Sequence, residues 1–428
     1  MMDTLAGRAA ARAEALAEET IALTRALVRA NTVNPYSGDP TRGNEGNGQA
    51  IIEPILRDLG ARIERFDCPP DVYAQAGVLG PKGREFAGRP NVQADLRFGG
   101  GGPRALLQAH MDTVGTSDMT IDPFSAEVRD GRIRGRGASD CKGGIAATLT
   151  ALRVLREFAG SLRGSVLFQS VVDEECNGGG AGAMACCLRG LQADFGIVTD
   201  GFGPLITRGY SGVLTVELRV PGVSGHAAWP LGVSAIEKAL VVKEALDQFK
   251  RDREGSRRFA QVNLGIFRAG IHPAIIPGEA LLALNLSYPM EDARAARAAG
   301  AGFGGGPIRA EFEQRIRARE AADPFLAAHP SAITWVKDLI PFETPAEHPL
   351  VTGLAETHRR ILGRDPEVTV SGAWSDASYL PRLCGIPTVV YGAGTPGKAH
   401  SHDEYAEVSR IVDTSKVLAA YLCERLGA

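Results

Sequence analysis

At 428 residues, with 44% apolar and 23% charged side chains and a net charge of −3, the chain has the composition of a soluble globular protein built from two or three lobes. That balance offers no basic stripe for nucleic acid and no unbroken apolar block for a bilayer, so neither partner is expected. Seven cysteines, at 68, 141, 176, 186, 187, 384 and 423, form an odd set with no CxxC pair. They argue against a disulfide framework or thiolate zinc site, and for a cytoplasmic protein whose cysteines are small buried apolar groups.

The N-terminal run MMDTLAGRAAARAEALAEETIALTRALVRANT is rich in Ala and Arg, but its acidic residues set it apart from a targeting segment, and it reads as an amphipathic helix of the fold. GQAIIEPILRDLGA is helical, RALLQAHMDTV opens as a strand, GGIAATLTALRVLREFAG is a helix and GSVLFQSVVDEE a strand again. This alternation predicts an α/β catalytic domain with a mostly parallel sheet flanked by helices, whose ligands gather beyond the carboxyl ends of the strands. After Gly209 the texture changes: GVLTVELRVPG alternates as a half-exposed strand, GVSAIEKALVVKEALDQFKRD is helical, EALLALNLSYPM is a strand, and AAGAGFGGGP is a glycine-rich loop. An α+β lobe is therefore expected over 209–344, dividing the catalytic domain into 1–208 and 345–428.

Chemistry collects where apolar runs end. LLQAHMDTV brings His110 and Asp112, GRGASDCKGG brings Asp140, VVDEE brings Glu174 and Glu175, GIVTD brings Asp200, and GKAHSHDEY brings His400 and His402. Imidazoles and carboxylates without thiolates are the donors of hydrolytic zinc, cobalt or manganese sites, and the surplus of donors fits two metals. In HxD, period-two alternation puts His110 and Asp112 on one face, so that Asp112 can steady the imidazole. Asp140 either caps the helix that begins near Lys142 or protrudes from its glycine-flanked turn to bridge two cations. Of Glu174 and Glu175, one can bind metal while the other addresses the attacking water. Three adjacent acids at a strand end call for a cation nearby.

In chain order HMDTV, GASDCKGG, DEE with GGGAGA, a TD segment, SGHAAWP and YGAGTPGKAHSHDEY resemble the acetylornithine deacetylase and succinyl-diaminopimelate desuccinylase family, the M20-type dinuclear metallopeptidases and acylases. The resemblance spans nearly the whole chain. It implies that His110, Asp140 and Asp200 hold one metal and Asp140, Glu175 and His400 the other, with His402 only a neighbour. It makes Glu174 the general base and acid, Asp112 the residue that orients His110, and the lobe over 209–344 a dimerisation lid. From that lid His226 would reach the partner's site in a homodimer and hold the oxyanion.

Several positions depart from the family pattern. The third ligand segment reads Thr199-Asp200-Gly201, closer to the aminopeptidase and dipeptidase branches. Ala274 stands before Pro277 where an asparagine is common, Ser211 replaces an arginine, and Ser287 and Tyr288 occupy the strand where a carboxylate-binding arginine is usual, so a doubly acidic substrate is not expected. Arg208, Asn263 and Gly372 are the expected substrate contacts, with Arg208 suited to one carboxylate, and Trp229 and Trp374 are candidate walls. The expected activity is removal of an acyl group from a small N-acyl amino acid or related amide, with two zinc ions, or cobalt or manganese, as cofactors. Its rival is a dipeptidase, aminopeptidase or carboxypeptidase acting on short peptides. A scaffold without turnover would not need Glu174, and a nucleotide-dependent oxidoreductase would need a GxGxxG after the first strand with an acidic residue about 20 positions on, which the chain does not offer.

Overall fold

The computed structural model describes residues 4–175, 179–203, 205–229, 231–256 and 258–427. The N-terminal segment forms two helices rather than one, α1 (Leu5–Ala15) and α2 (Ala17–Arg29), broken at the buried Leu16. In the larger sheet, β1 (Arg62–Phe66), β2 (Asn91–Arg97), β3 (Gly99–His110), β4 (Arg163–Val171), β5 (Phe195–Val198) and β6 (Leu205–Tyr210) come from the first part of the chain. A second sheet holds β7 (Gly212–Pro221), β8 (Val262–Ala269), β9 (Glu279–Tyr288) and β10 (Ala332–Leu339). The chain then returns to the larger sheet with β11 (Phe342–Glu343), β12 (Glu367–Ser371) and β13 (Thr388–Val390).

The larger sheet runs β1-β2-β4-β3-β5-β13-β6-β11, with β12 beside β6. Its centre, β4-β3-β5-β13, is parallel, as the alternation of strands and helices requires, while β1, β2 and β11 pair antiparallel at the edges. The sheet is thus mixed, parallel where it carries chemistry. Helices α3 (Gly143–Glu157), α4 (Ala181–Leu188) and the C-terminal α7 (Val408–Leu426) cover it. The bend at Leu16 lets α1 lie along α7 while α2 meets α3, so one apolar stripe covers two neighbours.

The smaller sheet, ordered β8-β9-β7-β10, is antiparallel throughout. Along β7 the side chains of Leu214, Val216, Leu218 and Val220 are buried against α5 (Ala235–Ser256) and α6 (Gly306–Ala321), and Thr215, Glu217 and Arg219 take the other face. This alternation is that of a sheet with one face covered by helices. The glycine-rich loop falls between Ala298 and Gly306, inside this lobe.

One close approach fixes the catalytic end of the larger sheet. A Cβ on Gly144, in the first turn of α3, would lie 1.8 Å from the carbonyl oxygen of Thr199, the residue before Asp200. Helix and strand end can therefore meet only at glycine. Gly144→Ala should lower stability by about 1–3 kcal/mol. Urea denaturation would check this, and an unchanged midpoint would refute it.

Candidate metal centre

Neighbouring parallel strands deliver the donors to one edge. β3 ends at His110, β4 ends two residues before Asp173, and β5 ends two residues before Asp200. Asp140 sits in the tight turn over Ala138–Lys142 ahead of α3, and the Asp140–Cys141 peptide bond is cis. No side-chain cap is made by Asp140 for α3, so the protruding arrangement is the one adopted. His400 arrives on the loop after β13. Asp173 and His400 hold left-handed φ angles of 63° and 59°, a conformation that non-glycine residues keep mainly at functional sites.

Asp140 lies between two imidazoles. Its Oδ1 is 3.0 Å from His110 Nε2 and its Oδ2 is 3.3 Å from His400 Nε2. Asp200 Oδ1 stands 3.8 Å from His110 Nε2, and Glu175 Oε1 is 3.0 Å from His400 Nε2. Two sets of donors result, His110-Asp140-Asp200 beside Cys141 and Asp140-Glu175-His400, each within reach of one ion. Asp140 is common to both, with one oxygen toward each.

The electrostatics suit cations. Burial pushes the Glu175 carboxyl up to about 7, and the Asp140 charge adds to this against the opposing His400. Burial likewise raises Glu174 well above the usual range, opposed by His110 and reinforced by Glu175, Asp376 and Asp200. Burial would lower His400, but hydrogen bonds to Asp140 and Glu175 outweigh it and raise the imidazole to about 11. Asp376, close behind, is raised to about 7 by burial, and its Oδ2 has no hydrogen-bond partner. Five carboxylates around two imidazoles make a site whose excess negative charge divalent ions would neutralise. Cys141 also falls within the first set, where its Sγ donates to the His110 carbonyl at 3.3 Å and burial raises its thiol pKa. The imidazole and carboxylate donors of both sets are of the kind that zinc, cobalt and manganese accept.

Asp112 does something other than steady His110 through its carboxylate. The His110 Nδ1 donates instead to the Asp112 backbone carbonyl at 3.0 Å, and the nearest carboxylate oxygen is 3.8 Å away. Strand geometry ends at His110, so period two no longer applies to Asp112. Its carboxylate accepts the amide hydrogens of Glu174 at 3.2 Å and Glu175 at 3.0 Å, and the Asn34 side-chain amide at 2.7 Å. Asp112 thus anchors the backbone that presents both glutamates. Asp173, the third acid of that run, finds its cations in two arginines: Arg84 at 3.0 Å and Arg89 at 3.1 Å, with Asn34 and Tyr73 completing the set. Glu404 accepts from the backbone amides of Ser139 and Asp140 and pairs with Arg136 at 2.7 Å, fixing the Asp140 turn.

Beside the donors opens a cleft of about 550 Å³, lined by Glu174, Glu175 and His400 on one side and by strands of the smaller sheet on the other. Asn263, Gly372 and Trp374 line it. Arg208 does not. Its guanidinium is held by Glu343 at 2.5 Å and the Thr344 carbonyl at 3.2 Å, beside a separate cavity of about 340 Å³. His226 and Trp229 also stand apart from the cleft, on an exposed turn of the smaller lobe where Trp229 is 62% accessible. His402 contributes its backbone carbonyl to Thr120. Cys176 lies outside the described residues, and the other cysteines are unpaired thiols. Asn34, Arg84, Arg89 and Lys337 were not legible as site residues, because no local pattern links them to the acids they meet.

Comparison with known proteins agrees with the family read from the motifs. Residues 106–424 match the Peptidase family M20/M25/M40. The chain is 30% identical to an N-formyl-4-amino-5-aminomethyl-2-methylpyrimidine deformylase of Halalkalibacterium halodurans, over 95% of this chain and 94% of that one. It is 27% identical to a succinyl-diaminopimelate desuccinylase of Gluconacetobacter diazotrophicus, over 95% and 97%. Among solved structures, a tripeptidase from Staphylococcus aureus shares the fold with a TM-score of 0.71 at 22% identity, covering 96% of this chain and 98% of that one. The chain belongs to peptidase family M20/M25/M40 and is a hydrolase of amide bonds.

Proposed function

We propose that this protein is a two-metal amidohydrolase that removes a small acyl group from an N-acylated amino acid or related amide. The observation that carries the reading is Asp140, which turns one carboxylate oxygen toward each imidazole while Glu174 faces the adjoining cleft. His110, Asp140 and Asp200 would hold one divalent ion, and Asp140, Glu175 and His400 the other, zinc in our reading, with cobalt or manganese as alternatives. When bound, such ions polarise the scissile carbonyl and ease deprotonation of water.

The chain's own residues supply the rest. The Glu174 carboxylate takes the proton of the attacking water and returns it to the leaving amine, a role suited by a carboxyl whose pKa burial has raised. Asp112 holds the Glu174 and Glu175 amides so that one glutamate faces metal and the other the cleft. Closure of the smaller lobe over the cleft would exclude bulk water.

In a homodimer, His226 would be offered to the partner's cleft to steady the developing oxyanion. The exposed Trp229 and Leu231, neighbours of His226 in the chain, and the exposed Ile275, paired with it, support burial of this surface in a second copy. The unpaired thiols among the described residues support a cytoplasmic site of action.

A peptidase reading is favoured by Asp200, since aspartate there resembles the aminopeptidase and dipeptidase branches. Release of free amine from N-formyl, N-acetyl and N-succinyl amino acids and from unblocked dipeptides, by the zinc-loaded enzyme, decides between them. Turnover of blocked substrates supports the deacylase. Turnover confined to unblocked dipeptides replaces it with the peptidase.

A further inference from the structure

One transverse row of the smaller sheet faces the cleft. Lys337 on β10 pairs with Thr215 on β7, Thr215 with Asn285 on β9, and Asn285 with Asn263 on β8. Thr215 Oγ1 donates to Asn285 Oδ1 at 3.0 Å, so the row is tied together. Its neighbour rung is Leu339, Val213 and Ser287. All of these except Thr215 line the same 550 Å³ cleft as Glu174, Glu175 and His400.

Lys337 reaches this face through an irregularity. Trp335, two residues earlier, points the other way, with its ring against Phe312 and its Nε1 donating to Glu313 on α6. Strict alternation would put Lys337 on that side too. The register shift between Trp335 and Lys337 turns the lysine to the cleft face instead. Next to it, the Asp338 amide donates to the Leu79 carbonyl at 2.9 Å, which seats this part of β10 on the catalytic domain.

The row is graded. Asn263 and Asn285 are exposed, and Lys337 is buried at the inner end, 6% accessible. Among the described residues lining the cleft, Lys337 is the one ammonium or guanidinium. Arg208 lies beside a separate cavity, and β9 carries Ser287 and Tyr288 rather than an arginine. A buried cation in a substrate cleft, beside carboxamides and hydroxyls, is chemistry for a small ligand with one acidic group and several hydrogen-bonding atoms.

We propose that Lys337 is the specificity-determining cation of the cleft, holding a single carboxylate of the substrate while Asn263, Asn285 and Ser287 hydrogen-bond to the rest. This rests on the deacylase reading and narrows it to mono-acidic N-acyl compounds. The test pairs each N-formyl and N-acetyl amino acid with its carboxamide, in which the carboxylate charge is gone, and measures kcat/KM for the zinc-loaded wild type, K337M and K337R. Wild type should favour the acids by about 10–100-fold, the scale of one charged hydrogen bond, mainly through KM. In K337M the ratio should fall to near one, and K337R should restore most of it.

Equal loss on acid and carboxamide would show that Lys337 acts on Glu174 rather than on substrate, and would overturn the proposal, as would a wild-type ratio near one. Calorimetric binding of the same pairs to zinc-loaded E174Q, with and without K337M, separates the two claims. Acid-selective binding that K337M abolishes, without turnover in wild type, would sink the deacylase reading and keep the role of Lys337. Turnover with equal binding of acid and carboxamide would do the reverse.

Discussion

Replacing Glu174 with glutamine is expected to lower kcat/KM about a thousandfold, the middle of the range for loss of a general base, while leaving metal content unchanged. The two effects separate because the structure divides the work of the adjacent glutamates. Glu175 lies 3.0 Å from His400 and belongs to a set of metal donors, whereas the Glu174 side chain is in neither set and lines the cleft. What fixes Glu174 is its backbone amide on Asp112, which the substitution leaves in place. Glutamine keeps the shape and loses the ability to take a proton. Glu175→Gln, in contrast, should lose metal and turnover together. Metal analysis beside steady-state kinetics checks both, and E174Q retaining more than about a tenth of wild-type kcat/KM would remove Glu174 from the role of base.

The pattern of what sequence made legible follows from how each residue gets its position. His110, Asp140, Glu174, Glu175, Asp200 and His400 each close an apolar strand or sit in a glycine-flanked or positive-φ turn, so local sequence marks both the element and its end. A parallel sheet then brings those ends together without further information. Arg208 lies outside the cleft, paired with Glu343, which arrives on the strand that re-enters the sheet after the whole inserted lobe. Asp112 meets His110 through its backbone carbonyl rather than its carboxylate because the strand stops at His110, one peptide too early for alternation to hold.

Lys337 was hidden for a related reason. The irregularity before it reverses the face that its position in WVKDL predicts. Asp173 shows the converse: two arginines supply the cation expected beside the three acids for that one acid, while Glu175 meets His400 and Glu174 lines the cleft. Local rules located the chemistry, and the exceptions lie where a strand ends, bulges or meets a distant charge.

Asp140→Ala should remove both metals from one substitution. Each oxygen of Asp140 faces a different imidazole, so the carboxylate belongs to both sets of donors, whereas His110 and Asp200 belong to one and Glu175 and His400 to the other. Losing a terminal donor such as His400 leaves the first set whole, and about one ion per chain should remain. Losing the shared donor leaves His110 with Asp200, and His400 with Glu175, each pair short of the three protein ligands usual at a catalytic zinc. Activity should fall about ten-thousandfold in Asp140→Ala, since carbonyl polarisation and water activation are lost together. The fold should survive, because the turn around Asp140 is held through backbone amides by Glu404 rather than through the Asp140 side chain. Metal analysis after dialysis would give the stoichiometries, with circular dichroism to confirm folding. If Asp140→Ala and His400→Ala lost the same number of ions, Asp140 would serve one metal rather than two, and the shared-carboxylate centre would have to be abandoned.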